Sequence, residues 1–303
     1  MKRFLAIAVF AALAVAAFHR EAASQSNLVK QLAPGVYYRE AEPGKRIIAN
    51  TGWVVFRDYV LVIDANFPWG ARAILEDLRK TTDKPIRFVF DTHYHGDHAF
   101  GNSVFIDAGG TIICSEECTA ESQAKNPAAW NGDKGTGAYS LQPYRLEHPQ
   151  VSFRDRLVLD DGSKRVELIR VGPGHTRGDS IAWLPKERIL FTGDLCVNRP
   201  GNNIADPDAD PDNWVRVLDD LVLRNPGIVI PGHGAQGTVD ALRGNRAYLA
   251  DLINQVRDGI ARGATAEQLE TAIRLESHRP WGEDPDRNRT SIRAVYAKLA
   301  YAR

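Results

Sequence analysis

Three things are scarce in this 303-residue chain: net charge, cysteine and long apolar runs. Lysine plus arginine and aspartate plus glutamate are balanced at 38 each. Without the first two dozen residues the balance falls to about −2, since Lys2, Arg3 and Arg20 leave together with Glu21. A basic face is the usual footprint of a nucleic-acid partner, so none is expected. Cysteine occurs only at 114, 118 and 196, an odd, low count that excludes a disulfide framework. Cys114 and Cys118 are four apart, so a helix would place them on one face, and an oxidising compartment would allow a bridge. The one long apolar run, Phe4 to Phe18, is too short to span a bilayer comfortably. With Lys2 and Arg3 before it and Ala16, Ala17 and Ala23 after it, it describes a secretory signal peptide, with an uncleaved anchor as the alternative.

Residues 1–23 therefore read as a leader and 24–303 as one domain, periplasmic or secreted, without stable membrane association after cleavage. Nothing in the sequence speaks to oligomeric state. Hydrophobic residues at 44% and charged residues at 25% are ordinary for a globular enzyme, and this length buries a large core without staples.

Two β-rich blocks are each followed by helix. In the first, Gly35–Arg39, Ile47–Arg57 and Val60–Asp64 read as strands, 71–80 as a helix, Ile86–Phe90 as a buried strand, Val104–Asp107 and Thr111–Cys114 as strands and 115–125 as a helix. Residues 126–149 carry Trp130, Tyr139 and Tyr144 with no clear period. A long irregular segment in a compact domain is often functional, and these three aromatics are candidates for substrate binding. The second block runs from Val151 to Phe191. An Asn/Asp/Pro-rich loop at 198–212, a helix at 213–223, a strand at Gly227–Ile230 and helices at 239–262, 265–275 and from Thr290 complete the chain.

Chemistry concentrates just after the strand-like runs. His93-Tyr-His-Gly-Asp-His98 offers three imidazoles and a carboxylate in six residues. Alternate residues of an extended segment point the same way, so His93 and His95 can grip one ion, while the turn at Gly96 sends Asp97 and His98 elsewhere. Gly172-Pro-Gly-His175, Phe191-Thr-Gly-Asp194 and Ile230-Pro-Gly-His233 each put one further ligand-type residue at a strand end beside glycine. Imidazole and carboxylate suit zinc; iron and manganese are not excluded. Cys196 falls two residues after Asp194 and is not read as a ligand. Asp91, Thr176 and Asp179 read as structural, and His148 and His278 as surface residues.

On Thr92–His98, Gly174–Asp179, Thr192–Leu195, Pro231–Gly234 and the hairpin ending in Val62-Ile63-Asp64, the chain resembles the metallo-β-lactamase superfamily. The resemblance implies a four-layer αβ/βα sandwich of the α/β class, with two metals at one edge between the sheets. It implies that His93, His95 and His175 bind the first metal, that Asp97, His98 and His233 bind the second, that Asp194 bridges them and that Asp64 supports the site from behind. Two divalent ions about 3.5–4 Å apart can share a water and lower its pKa towards neutrality, and Asp97 would hold or accept that water's proton. Members that are true β-lactamases usually carry Cys or Ser at the position of Asp194. The aspartate resembles lactonases and general hydrolases, so small esters, lactones, thioesters or amides are the expected substrates. A β-lactamase and a non-catalytic metal-binding module are the alternatives.

Overall fold

The computed structural model describes residues 28–132, 140–201 and 203–301; residues 1–23, expected to be a leader, and Tyr139 lie outside them. The first sheet has seven strands in sequential order: β1 (Val29–Ala33), β2 (Val36–Arg39), β3 (Thr51–Val55), β4 (Val60–Ile63), β5 (Ile86–Phe90), β6 (Thr111–Ser115) and β7 (Val151–Phe153). Its first half is an antiparallel meander, and β4 to β7 run parallel. The second sheet has five, in the order β12 (Ile228–Ile230), β11 (Ile189–Phe191), β10 (Ser180–Leu184), β9 (Arg165–Arg170) and β8 (Arg156–Asp160). There β11 and β12 are parallel and the rest antiparallel.

Three apolar clusters define the layers. Val36, Val54, Leu61, Phe90, Leu168, Ala182, Phe191 and Ile230 pack between the sheets. Trp53, Val62 and Val89 face outward under α1 (Pro68–Arg79) and α3 (Asn102–Asp107), meeting Ile74, Leu78 and Phe105. Ile181, Trp183, Leu190 and Val229 belong to the cluster under α5 (Pro211–Leu223), α6 (Val239–Ala261), α7 (Ala266–Ala272) and α8 (Pro285–Tyr301). Strands with both faces covered read as near-continuous apolar runs, as β4 (VLVI) and β10 (SIAWL) do. The result is the expected αβ/βα sandwich. Among the described residues no helix is long and apolar enough to cross a membrane.

Several local expectations are corrected. Val104–Asp107 is not a strand but lies in α3, with Val104 and Phe105 buried; four residues cannot separate a helical from a strand period. Only Thr51–Val55 of the long run from Ile47 is a strand. Helix α1 starts three residues earlier than expected, with Pro68 at its first position, where the missing N–H costs nothing. Helix α4 (Glu116–Gly132) extends into the supposed loop and carries Trp130 and an internal Pro127. Cys114 and Cys118 are disulfide-bonded, joining β6 to the first turn of α4.

Candidate metal centre

Parallel strands put their C-terminal ends on one edge, where α/β folds place ligands. Here β4 leads into Asp64, β5 into His93–His98, β9 into His175, β11 into Asp194 and β12 into His233. A short helix, α2 (Gly96–Ala99), begins right after His95 and turns Asp97 and His98 away from the direction of His93 and His95.

The seven candidate ligands come together in two halves. In one, His95 Nδ1 lies 3.1 Å from His93 Nε2 and 2.9 Å from His175 Nε2. In the other, His233 Nε2 is 3.1 Å from Asp97 Oδ2, and His98 Nε2 is 3.7 Å from that same oxygen. Asp194 lies between them: Oδ1 is 3.3 Å from both His98 Nε2 and His233 Nε2, and Oδ2 is 3.7 Å from His175 Nε2.

Each imidazole is held by its other nitrogen. His93 Nδ1 is 3.1 Å from Thr92 Oγ1, and that hydroxyl donates to Asp64. Asp64 Oδ2 faces His98 Nδ1 at 3.0 Å, and Oδ1 accepts the Thr92 amide at 2.8 Å. His175 Nδ1 donates to the Asn203 carbonyl and His233 Nδ1 to that of Ile48, both at 2.9 Å. His95 is reversed: Nε2 is the anchored atom, 3.1 Å from Asp206 Oδ2. Such partners fix which nitrogen faces inward, and its lone pair is available to an ion once any proton on it has left.

The donor set fits divalent cations. Lone pairs of three imidazoles crowd one point, and His98 Nε2 and Asp194 Oδ1 are buried without a hydrogen-bond partner among the described residues. Buried polar atoms are almost always satisfied, and a cation satisfies these. Asp97 and His95 retain side-chain exposures of 24% and 20%, against 0% for His98 and His175. The open side of the centre is therefore theirs.

The two halves differ in charge. Burial and the neighbouring imidazoles hold His93 well below the usual range, and burial with His95 pushes His175 down to about 4. In the other half burial opposes the charged form but the carboxylates outweigh it. Asp194 and Asp97 raise His233 to about 9, and Asp64, Asp97 and Asp194 raise His98 well above its ordinary value. Asp97 and Asp194 are correspondingly held low by His98 and His233, against their burial. Without metal, His93 and His175 of the first half therefore stay neutral, while the second half keeps two protons at neutral pH, on His98 and His233. An ion entering the second half must displace them, so its affinity is expected to rise with pH up to about 9, by as much as about 100-fold per unit when two protons leave. His93 and His175, held neutral by burial, have no proton to displace, so the first half should show the shallower slope. Titration against a competing chelator at pH 6, 7 and 8 measures both slopes; equal slopes would contradict the assignment.

Sequence reading missed several residues here. Asp206 accepts from His95 and Tyr94. Asn50 reaches across from the first sheet and donates to the carbonyls of Pro231 and Gly234 at 2.7 and 2.8 Å, clamping the His233 loop. Asp206 is one of several acids in a loop with no period, and Asn50 meets its partners only after folding. Asp179 accepts from the Thr176 amide and hydroxyl and shapes the His175 turn, with its carboxyl raised to about 7 by burial. Asp91 accepts from Asn102. His148 and His278 are half-buried, bonded to Ser122 and Asp251. Cys196 points into the helical core, its thiol pushed up to about 12 by burial.

The aromatics divide. Trp130 meets Phe100 edge-on at 5.1 Å in a row that continues through Phe67 to Trp69, and the Phe100 ring lies against Gly96 of the metal loop. Tyr144 is not beside the candidate ligands. It packs 5.5 Å from Arg72 in a groove with Leu75, Arg79 and Val104, in the α1–α3 layer, because the chain after 140 folds back along those helices.

Comparison with known proteins agrees with this geometry. A family model described as Metallo-beta-lactamase superfamily matches residues 44–233. The chain is 23% identical over 245 residues to a linear primary-alkylsulfatase of Pseudomonas sp., covering 69% of this chain and 46% of that protein. It is 26% identical over 222 residues to a metallo-beta-lactamase type 2 of Bacillus cereus, covering 72% and 76%. A solved metallo-beta-lactamase from Pontibacter korlensis superposes with a TM-score of 0.59 at 20% identity, covering 73% of this chain and 98% of that one.

Proposed function

Because the chain belongs to the metallo-β-lactamase superfamily, we propose that it is a dinuclear zinc hydrolase of small ester, lactone, thioester or amide substrates. The observation that carries this is the carboxylate of Asp194, with one oxygen towards each ligand set. A bound pair of divalent cations supplies a water acidic near neutral pH and polarises the electrophile. The chain's own residues do the rest. His93, His95 and His175 hold one ion; Asp97, His98 and His233 hold the other. Asp97, on the open side, accepts the proton of the attacking water and returns it to the leaving group. Trp130 lies against an apolar part of the substrate. The apolar run at residues 4–18 and the Cys114–Cys118 bridge fit an oxidising compartment, and periplasmic or secreted location is part of the proposal.

Two carboxylates, Asp97 and Asp194, lower the net positive charge of the centre. That favours neutral substrates over anionic ones, and esters need less help with the leaving group than amides do. Elemental analysis of metal-replete protein should give two metals per chain, mainly zinc, and kcat/KM should be higher for small activated esters or lactones than for penicillins, cephalosporins or carbapenems. One metal or none would sink the dinuclear reading. The β-lactamase reading has its own support in the similarity to the Bacillus cereus enzyme; β-lactam turnover a hundredfold above every ester and lactone would establish it.

A further inference from the structure

The C-terminal helix lies well outside the span matched by the family model, yet it touches the metal centre through one turn of chain. Lys298, near the end of α8, is half-buried and donates to the carbonyls of Asp206 and Pro207 at 2.8 and 3.2 Å. The side chain of Asp206 is almost wholly buried and divides its oxygens. Oδ2 accepts from Tyr94 Oη and His95 Nε2. Oδ1 accepts the Asp208 amide at 2.8 Å and lies 3.5 Å from Lys125 Nζ. Lys125 is itself bound to Glu121 and Asp208, each within 2.9 Å. The turn is thus fixed by α4 at its carboxylates and by α8 at its backbone, and it presents one charged oxygen to one imidazole.

We infer that Lys298 is a positioning residue for the first metal half-site, acting through the Asp206 turn on His95. His95 is the only imidazole of the seven-ligand set anchored through Nε2, so the ion must take Nδ1, and Asp206 is the group that fixes this choice. His93 and His175 are anchored by Thr92 and Asn203, and none of the second half's ligands is bonded to the Asp206 turn among the described residues. Loosening the turn therefore weakens one half and spares the other. This rests on the reading of His93, His95 and His175 as one metal half-site.

The test is a Co(II) titration of the full chain, followed by its visible spectrum and by competition with a chelator. The wild type should bind two ions in two resolved steps. Lys298→Met keeps the aliphatic stem and removes the donor; it should weaken the first half about tenfold, as losing an outer partner of a ligating histidine does, and leave the second within twofold. Lys298→Arg should restore most of the loss. Asp206→Asn keeps the shape, removes the charge and should weaken the same half more, so the claim stays testable if Lys298→Met folds poorly. In both weakened variants kcat should fall with KM little changed. Unchanged affinities in Lys298→Met, or equal weakening of both halves by Lys298→Met or Asp206→Asn, would overturn the inference. A wild type lacking two steps would instead overturn the dinuclear reading.

Discussion

Asp194→Asn is expected to reduce the metal content of purified protein from two ions to one and to lower kcat about a thousandfold, with the fold intact. The amide has the volume of the carboxylate, so packing between β11 and the Gly232 loop survives. The charge does not. The buried Oδ1 stands 3.3 Å from the two imidazoles of the second half, and in the proposed dinuclear centre a neutral amide would leave two cations facing each other without an anion to share. A thousandfold loss corresponds to about 4 kcal/mol of transition-state stabilisation, within reach of one charge acting in a water-poor site. Metal analysis, circular dichroism and steady-state rates on one preparation decide the matter. Normal metal content with a normal rate would show that Asp194 does not link the two halves.

The second large effect is expected behind the centre. Asp64 is buried at the end of β4, in the left-handed region at φ 64, which Asp tolerates better than most residues. Its carboxylate satisfies the Thr92 amide, the Thr92 hydroxyl and His98 Nδ1. Asp64→Ala strands three buried polar groups at about 1–3 kcal/mol each and loses the anchor of His98, a candidate ligand, worth about 10–100-fold in metal affinity. The protein should lose at least about 6 °C in Tm, at about 2 °C per kcal/mol for a chain of this size, and bind the second metal weakly. Asp64→Asn, which still accepts one hydrogen bond, should recover part of the stability and less of the affinity. A variant that loses stability yet binds both metals normally would assign Asp64 to the fold alone.

The candidate ligands were legible because each sits in a short glycine-rich loop directly after an apolar strand, so sequence order and spatial convergence coincide. The sandwich was legible for the same reason: continuous apolar strands and amphipathic helices leave few layer arrangements. What was not legible depends on contacts between distant segments. Asp206 looks no different from Asp208 or Asp210 until the loop is laid against His95. Lys298 looks like any lysine on a helix end. Tyr144 follows Trp130 closely in the sequence, but chain proximity does not survive the end of α4 and the turn back along α1. Val104–Asp107 was too short for its period to speak.

Gly232 and Gly193 carry a consequence for anyone scoring this protein by random substitution. A Cβ on Gly232 would collide with Asp194 Oδ1, and one on Gly193, held at φ 52, with the Thr92 hydroxyl. Neither residue offers a side chain to metal or substrate, yet any replacement displaces the carboxylate between the two halves or the threonine behind His93. An activity screen would rank these two glycines beside the histidines. Position-by-position intolerance would then outline the space the centre occupies, methyl group by methyl group, and metal analysis of each dead variant would be needed to tell the walls of that space from its contents.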